Sequence, residues 1–291
     1  MFTQIIDYMA NFVRLVDEKD DAVVLVDAAT RPYFDGKIAD ELLIDANVED
    51  IWIRDLAPVV PSRQVKFTFL PTYLSKSTAK FIDRSFETWL ANLDLSYGVK
   101  SDLVLDGGNV VDNAAGSRAI ITSRVLTDNP HLTRDELHDQ LRRVLGVDQL
   151  AIIDEIPGDT TGHSDGMVMW PTNDKVLLVQ MPEPQRTAIR QELLRSLPGV
   201  DIVEIPDYST NETWRGFVSA RNAFVNSIVT DQYIYMPTFD SPHDTEMLSL
   251  IQSHTDKTVV PIPAENVCRM GGSVRCLTWQ VKGELKQKIL D

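Results

Sequence analysis

The chain has 291 residues and is poor in cysteine, in basic side chains and in long apolar runs. Two cysteines cannot build a disulfide framework, which excludes a small cross-linked secreted scaffold and favours a reducing compartment. With 28 Lys and Arg against 43 Asp and Glu, the net charge of −15 leaves no concentrated basic face for nucleic acid. No apolar run approaches the roughly 20 residues of a membrane span, so no membrane partner is expected. The opening residues 1–21 lack a basic targeting segment and carry Asp7, Asp17 and Glu18; a cytoplasmic location is the expectation. Glycine-rich phosphate loops are missing as well. Asp27-Ala-Ala-Thr follows the first strand-like run, which argues against a dinucleotide-binding fold, and GDTTGHS has no Lys. His131, His138, His243 and His254 show no metal-ligand spacing, and a structural zinc site is not expected.

What is present is an alternation of short β-branched runs with amphipathic stretches. Ile5, Ile6, Met9, Phe12, Val13 and Val16 fall at helical spacing. Further helices are predicted over 75–93, 133–145, 183–197 and 241–254. In the first of these Phe81, Trp89 and Leu90 share a side, and Ser75 or Ser77 can cap. Strands are predicted over 22–27, 103–105, 119–122, 150–156, 167–170, 175–181, 200–205, 216–229, 232–237, 259–262 and 273–281. The alternation argues an α/β class. Five helices separated by groups of strands suggest radial repetition of a ββαβ-like unit. With no linker or low-complexity segment in view, one domain over 1–291 is expected.

Four segments combine Gly or Pro with acids, His or Cys: Trp52-Ile-Arg-Asp55-Leu-Ala-Pro58, Asp106-Gly-Gly-Asn109, Gly162-His163-Ser-Asp165-Gly166 and Gly271-Gly-Ser-Val-Arg-Cys276. On a strand over 273–281, Val274, Cys276 and Thr278 share one face and Arg275 points to the other. Cys276 is then either a buried structural thiol or a nucleophile. Gly271 and Gly272 favour the second, since glycine permits the close approach of a ligand. Cys268 has no such setting. If 163–170 is extended, His163 and Asp165 point the same way, pairing a proton carrier with a cation-holding carboxylate; a turn-capping His is the alternative. Alone, Asp106-Gly-Gly reads as a tight turn and Arg54-Asp55 as a solvated pair.

Together, and in this order from Trp52 to Gln280, the four segments resemble those of the guanidino-group-modifying superfamily. They are nearest to its agmatine deiminase and bacterial-type peptidylarginine deiminase branch. The resemblance implies a pentein fold, a five-bladed α/β propeller of pseudo-fivefold ββαβ repeats. It implies Cys276 as nucleophile, His163 as general acid/base, and Asp55 and Asp165 as the pair bracketing the guanidinium. Asp106 takes the position of an acid, Glu in agmatine deiminases, that supports the His and the bound cation. Trp52 would line the pocket as a flat wall or cation–π partner, or else pack in the core. The chain departs from the agmatine deiminase pattern at Arg275, where that group has His before the Cys.

These residue types suit such chemistry. A guanidinium is planar and cationic, and its N–H pairs match carboxylates bidentately. Its central carbon is a poor electrophile, so a thiolate is the appropriate attacker. The implied course is attack by Cys276, loss of ammonia from an S-alkylthiouronium, and hydrolysis to a ureido product. Neither metal nor organic cofactor is needed. Two other readings use the same residues: transfer of the amidino group to an amine, and non-catalytic binding of a guanidinium. A papain-like cysteine protease fits less well, because the Cys is predicted on a strand near the C-terminus and the signature around a helix-borne Cys is absent. The expected partner is a small cationic guanidino substrate, whether agmatine, arginine, methylated arginine or peptidyl-arginine. Arg275, Arg215 and Arg221 are candidates for receiving a substrate carboxylate, with a structural role favoured for Arg275. A propeller with apolar edges is expected to form a homodimer.

Overall fold

In the computed structural model, which describes residues 2–290, the opening amphipathic stretch forms helix α1, Phe2–Asp17, with Ile5, Ile6, Phe12 and Val13 buried. Strands β1 (Val24–Val26) and β2 (Leu43–Asp45) follow and pair in parallel, joined through two short 3-10 turns rather than a crossover helix. A single helical turn, α2 (Ile53–Leu56), precedes β3 (Val65–Thr68), helix α3 (Lys76–Asn92) and β4 (Val99–Val104), with β3 and β4 parallel. Val59 adds one antiparallel bridge to Val65.

The next three units repeat one order. Strand β5 (Val111–Asp112) pairs antiparallel with β6 (Arg118–Thr122). The short helix α4 (Arg124–Asp128) and the longer α5 (Arg134–Leu145) then lead to β7 (Gln149–Ile153), parallel to β6. Strand β8 (Val168–Met169) likewise pairs antiparallel with β9 (Lys175–Val179), and helix α6 (Gln185–Ser196) crosses to the parallel β10 (Asp201–Ile205). A small hairpin, β11 (Thr213–Trp214) with β12 (Phe217–Val218), intervenes. The third repeat is β13 (Ile228–Val229), β14 (Tyr233–Thr238), helix α7 (Asp244–Gln252) and β15 (Thr258–Pro263). Helix α8 (Gly283–Leu290) ends the described chain. The fold is mixed α/β, as expected.

Helical periodicity decides which faces are buried. In α5, Leu137, Leu141 and Leu145 lie four apart and are fully enclosed. Burying each contributes about 1.5–3 kcal/mol. The same helix starts on a Thr133–Glu136 capping box and stops at Gly146, whose φ of 72° is left-handed. Helix α3 is capped by Ser75, whose Oγ accepts from Thr78 N at 3.1 Å. It buries Ala79, Ile82, Phe86, Trp89 and Leu90, while Phe81 is exposed and does not share the buried face.

Two predicted strands do not form. Residues 216–229 hold only β12 and β13, with turns between them, because Arg221-Asn222 bends the backbone and Asn222 has a φ of 66°. Residues 273–281 form no strand at all. Gly271 turns the chain at φ 97°, and turn hydrogen bonds from Leu277 N to Ser273 O and from Thr278 N to Arg275 O coil it. Segment 163–170 is not uniformly extended either, since Ser164–Gly166 forms a 3-10 turn before β8.

The repetition positions the four segments. Asn109, Gly166 and Asn226 each stand two residues before the first strand of a repeat, β5, β8 and β13. Corresponding loops of successive units are therefore delivered to one place. The 107–109 turn packs against α2 on one side and against the 164–166 turn on the other.

Candidate active site

The turn hydrogen bonds around Cys276 leave its thiol facing two segments from elsewhere in the chain. Its Sγ lies 4.0 Å from Asp165 Oδ2 and 3.3 Å from Asn226 Nδ2. The Cys276 carbonyl accepts from Arg54 N at 3.1 Å, which ties the nucleophile's turn to α2 and so to Asp55. Asp55 Oδ1 accepts the Gly108 N–H at 3.1 Å and stands 3.6 Å from His163 Nδ1. On its other edge His163 meets Asp106, with Nε2 3.2 Å from Oδ2. The structure thus brings Cys276, His163, Asp165, Asp55 and Asp106 together from four separate segments.

Gly108 shows why the second glycine of Asp106-Gly-Gly is required. A Cβ there would stand 2.5 Å from His163 Nδ1 and 2.6 Å from Asp55 Oδ1. The Asn109 side chain then fixes the next turn: its Oδ1 accepts from Thr122 N at 2.8 Å and from Ser164 N at 3.2 Å. Gly272 has a similar role against Trp52, because a Cβ at 272 would run into the six-membered ring. Trp52 is half-buried and packs on the main core, which meets the packing role considered for it.

Three findings correct the sequence expectations. Arg54 is not half of a solvated pair. It is 2% exposed and donates through Nε to the Arg275 carbonyl at 3.4 Å and through Nη2 to Gln280 Oε1 at 3.2 Å. Burial, followed by the neighbouring Arg275, lowers its pKa to about 9. Arg275 does not point away from Cys276 across a strand. Its Nη1 lies 3.2 Å from Asp165 Oδ2 and its Nη2 donates to the Val110 carbonyl at 2.7 Å. Those donors are committed to the protein, which supports the structural role. Finally, His163 and Asp165 face different neighbours, His163 toward Asp55 and Asp106, and Asp165 toward Cys276 and Arg275, because a 3-10 turn separates them. Arg215 stacks over Trp214 at 4.6 Å, and Arg221 donates to the Asp240 carbonyl at 3.3 Å. Neither is ion-paired with the cluster.

The electrostatics follow from burial among carboxylates. Burial alone would lower the His163 pKa, but Asp55, the hydrogen bond and charge of Asp106, and Asp165 outweigh it and raise it well above the usual range. That balance favours the protonated ring. Burial raises the Asp55 pKa, His163 pulls it back, and Asp106 and Asp165 raise it further. Burial, then Asp165 and Asp55, push the Cys276 thiol well above its ordinary range. His163 and Arg275 are the basic side chains set directly against Asp55, Asp106 and Asp165.

Asn226 was not singled out from the sequence, since its pattern, Asn226-Ser-Ile-Val, reads simply as strand; its place two residues before β13 is the one available signal. Among the described residues, no group of three or more His, Cys, Asp or Glu side chains is arranged to hold a metal ion. No helix there is long and apolar enough to cross a membrane.

Comparison with known proteins agrees with the four-segment resemblance. Agmatine deiminase from Pseudomonas fluorescens is 28% identical over 209 residues, which cover 61% of this chain and 56% of that protein. Agmatine deiminase from Ectopseudomonas mendocina is 24% identical over 292 aligned positions, covering 82% of this chain and 76% of the relative. Among solved structures, the C. jejuni agmatine deiminase superposes with a TM-score of 0.78 at 18% identity, over 96% of this chain and 88% of that one, which shows a common fold. The family model for Porphyromonas-type peptidyl-arginine deiminase matches residues 1–281. With all but the last ten residues matched, the chain belongs to the Porphyromonas-type peptidyl-arginine deiminase family, hydrolases that act on C–N bonds.

Proposed function

We propose that this chain is a cysteine-dependent deiminase that converts a guanidino group to a ureido group and ammonia. The observation carrying this reading is the convergence of Cys276, Asp165, Asp55, His163 and Asp106, with the thiol 4.0 Å from one carboxylate and the imidazole ring between the other two. Asp55 and Asp165 would hold the substrate cation and set its central carbon in line with sulfur. Positioning of this kind lowers a barrier by up to about 7–11 kcal/mol.

The charge state suggests an order of events. His163 already carries its proton, so it is poised as an acid rather than as the base that ionises Cys276. The thiol gives its proton to solvent water when the substrate's positive charge offsets the burial and the charges of Asp165 and Asp55 that hold the thiol neutral. The thiolate then attacks the guanidinium carbon, and His163 gives its proton to the departing nitrogen. Ammonia leaves, and an S-alkylthiouronium remains. The now neutral His163 takes a proton from water as the oxygen attacks; the C–S bond then breaks, the hydroxyl proton of the adduct passes to the departing sulfur, and the ureido product and the free thiol result.

In this reading the repeats are blades of a five-bladed propeller, and residues 1–291 form one catalytic domain. The three antiparallel–helix–parallel units support it, with β3–α3–β4 and β1–β2 as the shorter remaining blades. The test is a colorimetric ureido assay with agmatine, arginine, methylated arginine and a peptidyl-arginine, with Cys276→Ala as control. Product from at least one substrate, lost in the variant, is expected. No product from any of them would leave guanidinium binding without turnover, and an amidino-transfer product would redirect the second step.

A further inference from the structure

Two aromatic rings from distant parts of the chain meet beside the site. Strand β3 ends next to the acids, since the Thr68 carbonyl accepts the Leu105 N–H at 3.2 Å, immediately before Asp106. In the loop that follows β3, Tyr73 is half-buried. Burial, and then the charges of Asp55, Asp106, Asp50 and Cys276, hold its phenol neutral. The Tyr73 ring stands edge-on to that of Phe217, with centroids 5.8 Å apart and planes at 85°.

Phe217 comes from the nucleophile's side. The β11–β12 hairpin turns at Arg215-Gly216, with φ of 51° and 90°, and packs on the Cys268–Met270 turn. Just after β12, Ser219 Oγ and Ala220 N donate to the Cys268 carbonyl at 3.3 and 2.8 Å. A Cβ at Gly271 would stand 3.1 Å from Phe217 Cβ, so the ring is seated against the turn that leads to Cys276. Outside the pair, Thr72, Arg215, Gly216 and Val218 are exposed. The two rings therefore stand between solvent and the carboxylate cluster, and Cys276 itself keeps part of its surface accessible. An edge-to-face pair seated on two anchored loops has a defined position, and neither ring carries a charge.

We propose that Tyr73 and Phe217 are specificity-determining residues, whose paired rings wall the entry to Cys276 and admit a guanidinium carried on a slim, unbranched apolar chain while turning away branched ones. The proposal rests on the deiminase reading for the guanidinium, but selection by shape at Cys276 can be measured without turnover.

Two isomeric alkylating probes test it, N-butyl and N-tert-butyl iodoacetamide, which share an electrophile and differ only in branching. Each rate is followed on the Cys276 peptide by mass spectrometry, so that Cys268 does not contribute, and divided by the same reagent's rate with glutathione. Both probes need the thiolate, so its fraction cancels from their ratio. Wild-type protein is expected to take the tert-butyl probe at least about 10-fold more slowly. Phe217→Ala and Tyr73→Ala should each close most of that gap, and Tyr73→Phe, which keeps the ring, should retain it. Equal normalised rates in the wild type would overturn the proposal whether or not any variant folds. A gap unchanged in both alanine variants would overturn it as well, and so would a Tyr73→Phe protein that behaves like Tyr73→Ala. Where a productive substrate is found, the alanine variants are expected to narrow the kcat/KM difference between butylguanidine and tert-butylguanidine by about 10-fold. Failure of all guanidino substrates would defeat the deiminase reading without altering these alkylation ratios.

Discussion

Arg275 Nη1 lies 3.2 Å from Asp165 Oδ2, the same oxygen that stands 4.0 Å from Cys276 Sγ. The protein's own guanidinium thus occupies one oxygen of a carboxylate proposed to receive the substrate's guanidinium, from the residue immediately before the nucleophile. Arg275 holds that carboxylate in place and keeps its second oxygen available. Both partners are buried, so the pair is structural in origin and functional in consequence.

Breaking it should be costly. Arg275→Gln leaves Asp165 without its protein counter-charge, and removal of one member of a buried pair typically destabilises by about 3–5 kcal/mol. Urea unfolding of the purified variant is expected to show a loss in that range. Arg275→Lys should rescue little, because an ammonium cannot span Asp165 and the Val110 carbonyl as the planar fork does. A glutamine variant within about 1 kcal/mol of wild type would show that the pair has no structural weight.

Gly108→Ala puts a methyl group between Asp55 and His163. The expected result is a folded protein whose kcat is reduced by about 100-fold or more, as for displacements of about an ångström in a catalytic arrangement. Circular dichroism and steady-state assay on the same preparation check both halves. Wild-type turnover would mean that the Asp55–His163 spacing does not matter.

Asp106→Asn removes one of the charges that keep His163 protonated. The His163 pKa then falls, and the alkaline limb of the kcat/KM profile should move to lower pH by about one unit or more. An unmoved limb would assign it to another group.

The stability of the protein should fall as the solution becomes alkaline. His163, Asp55 and Cys276 all have folded pKa values raised above their unfolded ones, so the native state binds more protons and loses stability as pH rises. For Cys276 the contribution is complete below the unfolded thiol pKa of about 8.5 and declines above it. Cys276→Ala is therefore expected to flatten the fall between about pH 9 and 10.5, by up to about 1.4 kcal/mol per pH unit. Parallel urea titrations of both proteins over that range are the check; identical slopes would contradict it.

Much of the molecule can be read from local pattern, and the exceptions have physical causes. Leu137, Leu141 and Leu145 mark the buried face of α5 because helical spacing is a local property. The five principal helices appear where periodicity predicts them, and the four segments punctuated by Gly or Pro do converge. Arg275 misleads because the apolar residues Val274, Cys276, Leu277 and Trp279 around it read as a strand, while the turn is closed by Gly271 and main-chain hydrogen bonds that local pattern cannot reveal. Arg54-Asp55 is ambiguous for another reason. Burial of the arginine depends on Gln280 and on the 275–276 backbone, more than 200 positions away. Asn226 is hidden likewise: a lone Asn in a β-branched run carries no chemical signature until Cys276 and Asp165 are placed beside it. Strands of two residues, β5, β8 and β13 among them, are too short for any periodic signal.

The central claim, covalent deimination by Cys276, is tested most directly by rapid-quench mass spectrometry during turnover of whichever guanidino substrate yields a ureido product. The account predicts a transient adduct on the Cys276 peptide, equal in mass to the substrate less one ammonia, and absent from Cys276→Ala protein. Ureido product formed with no adduct, at a rate that Cys276→Ala leaves unchanged, would contradict it.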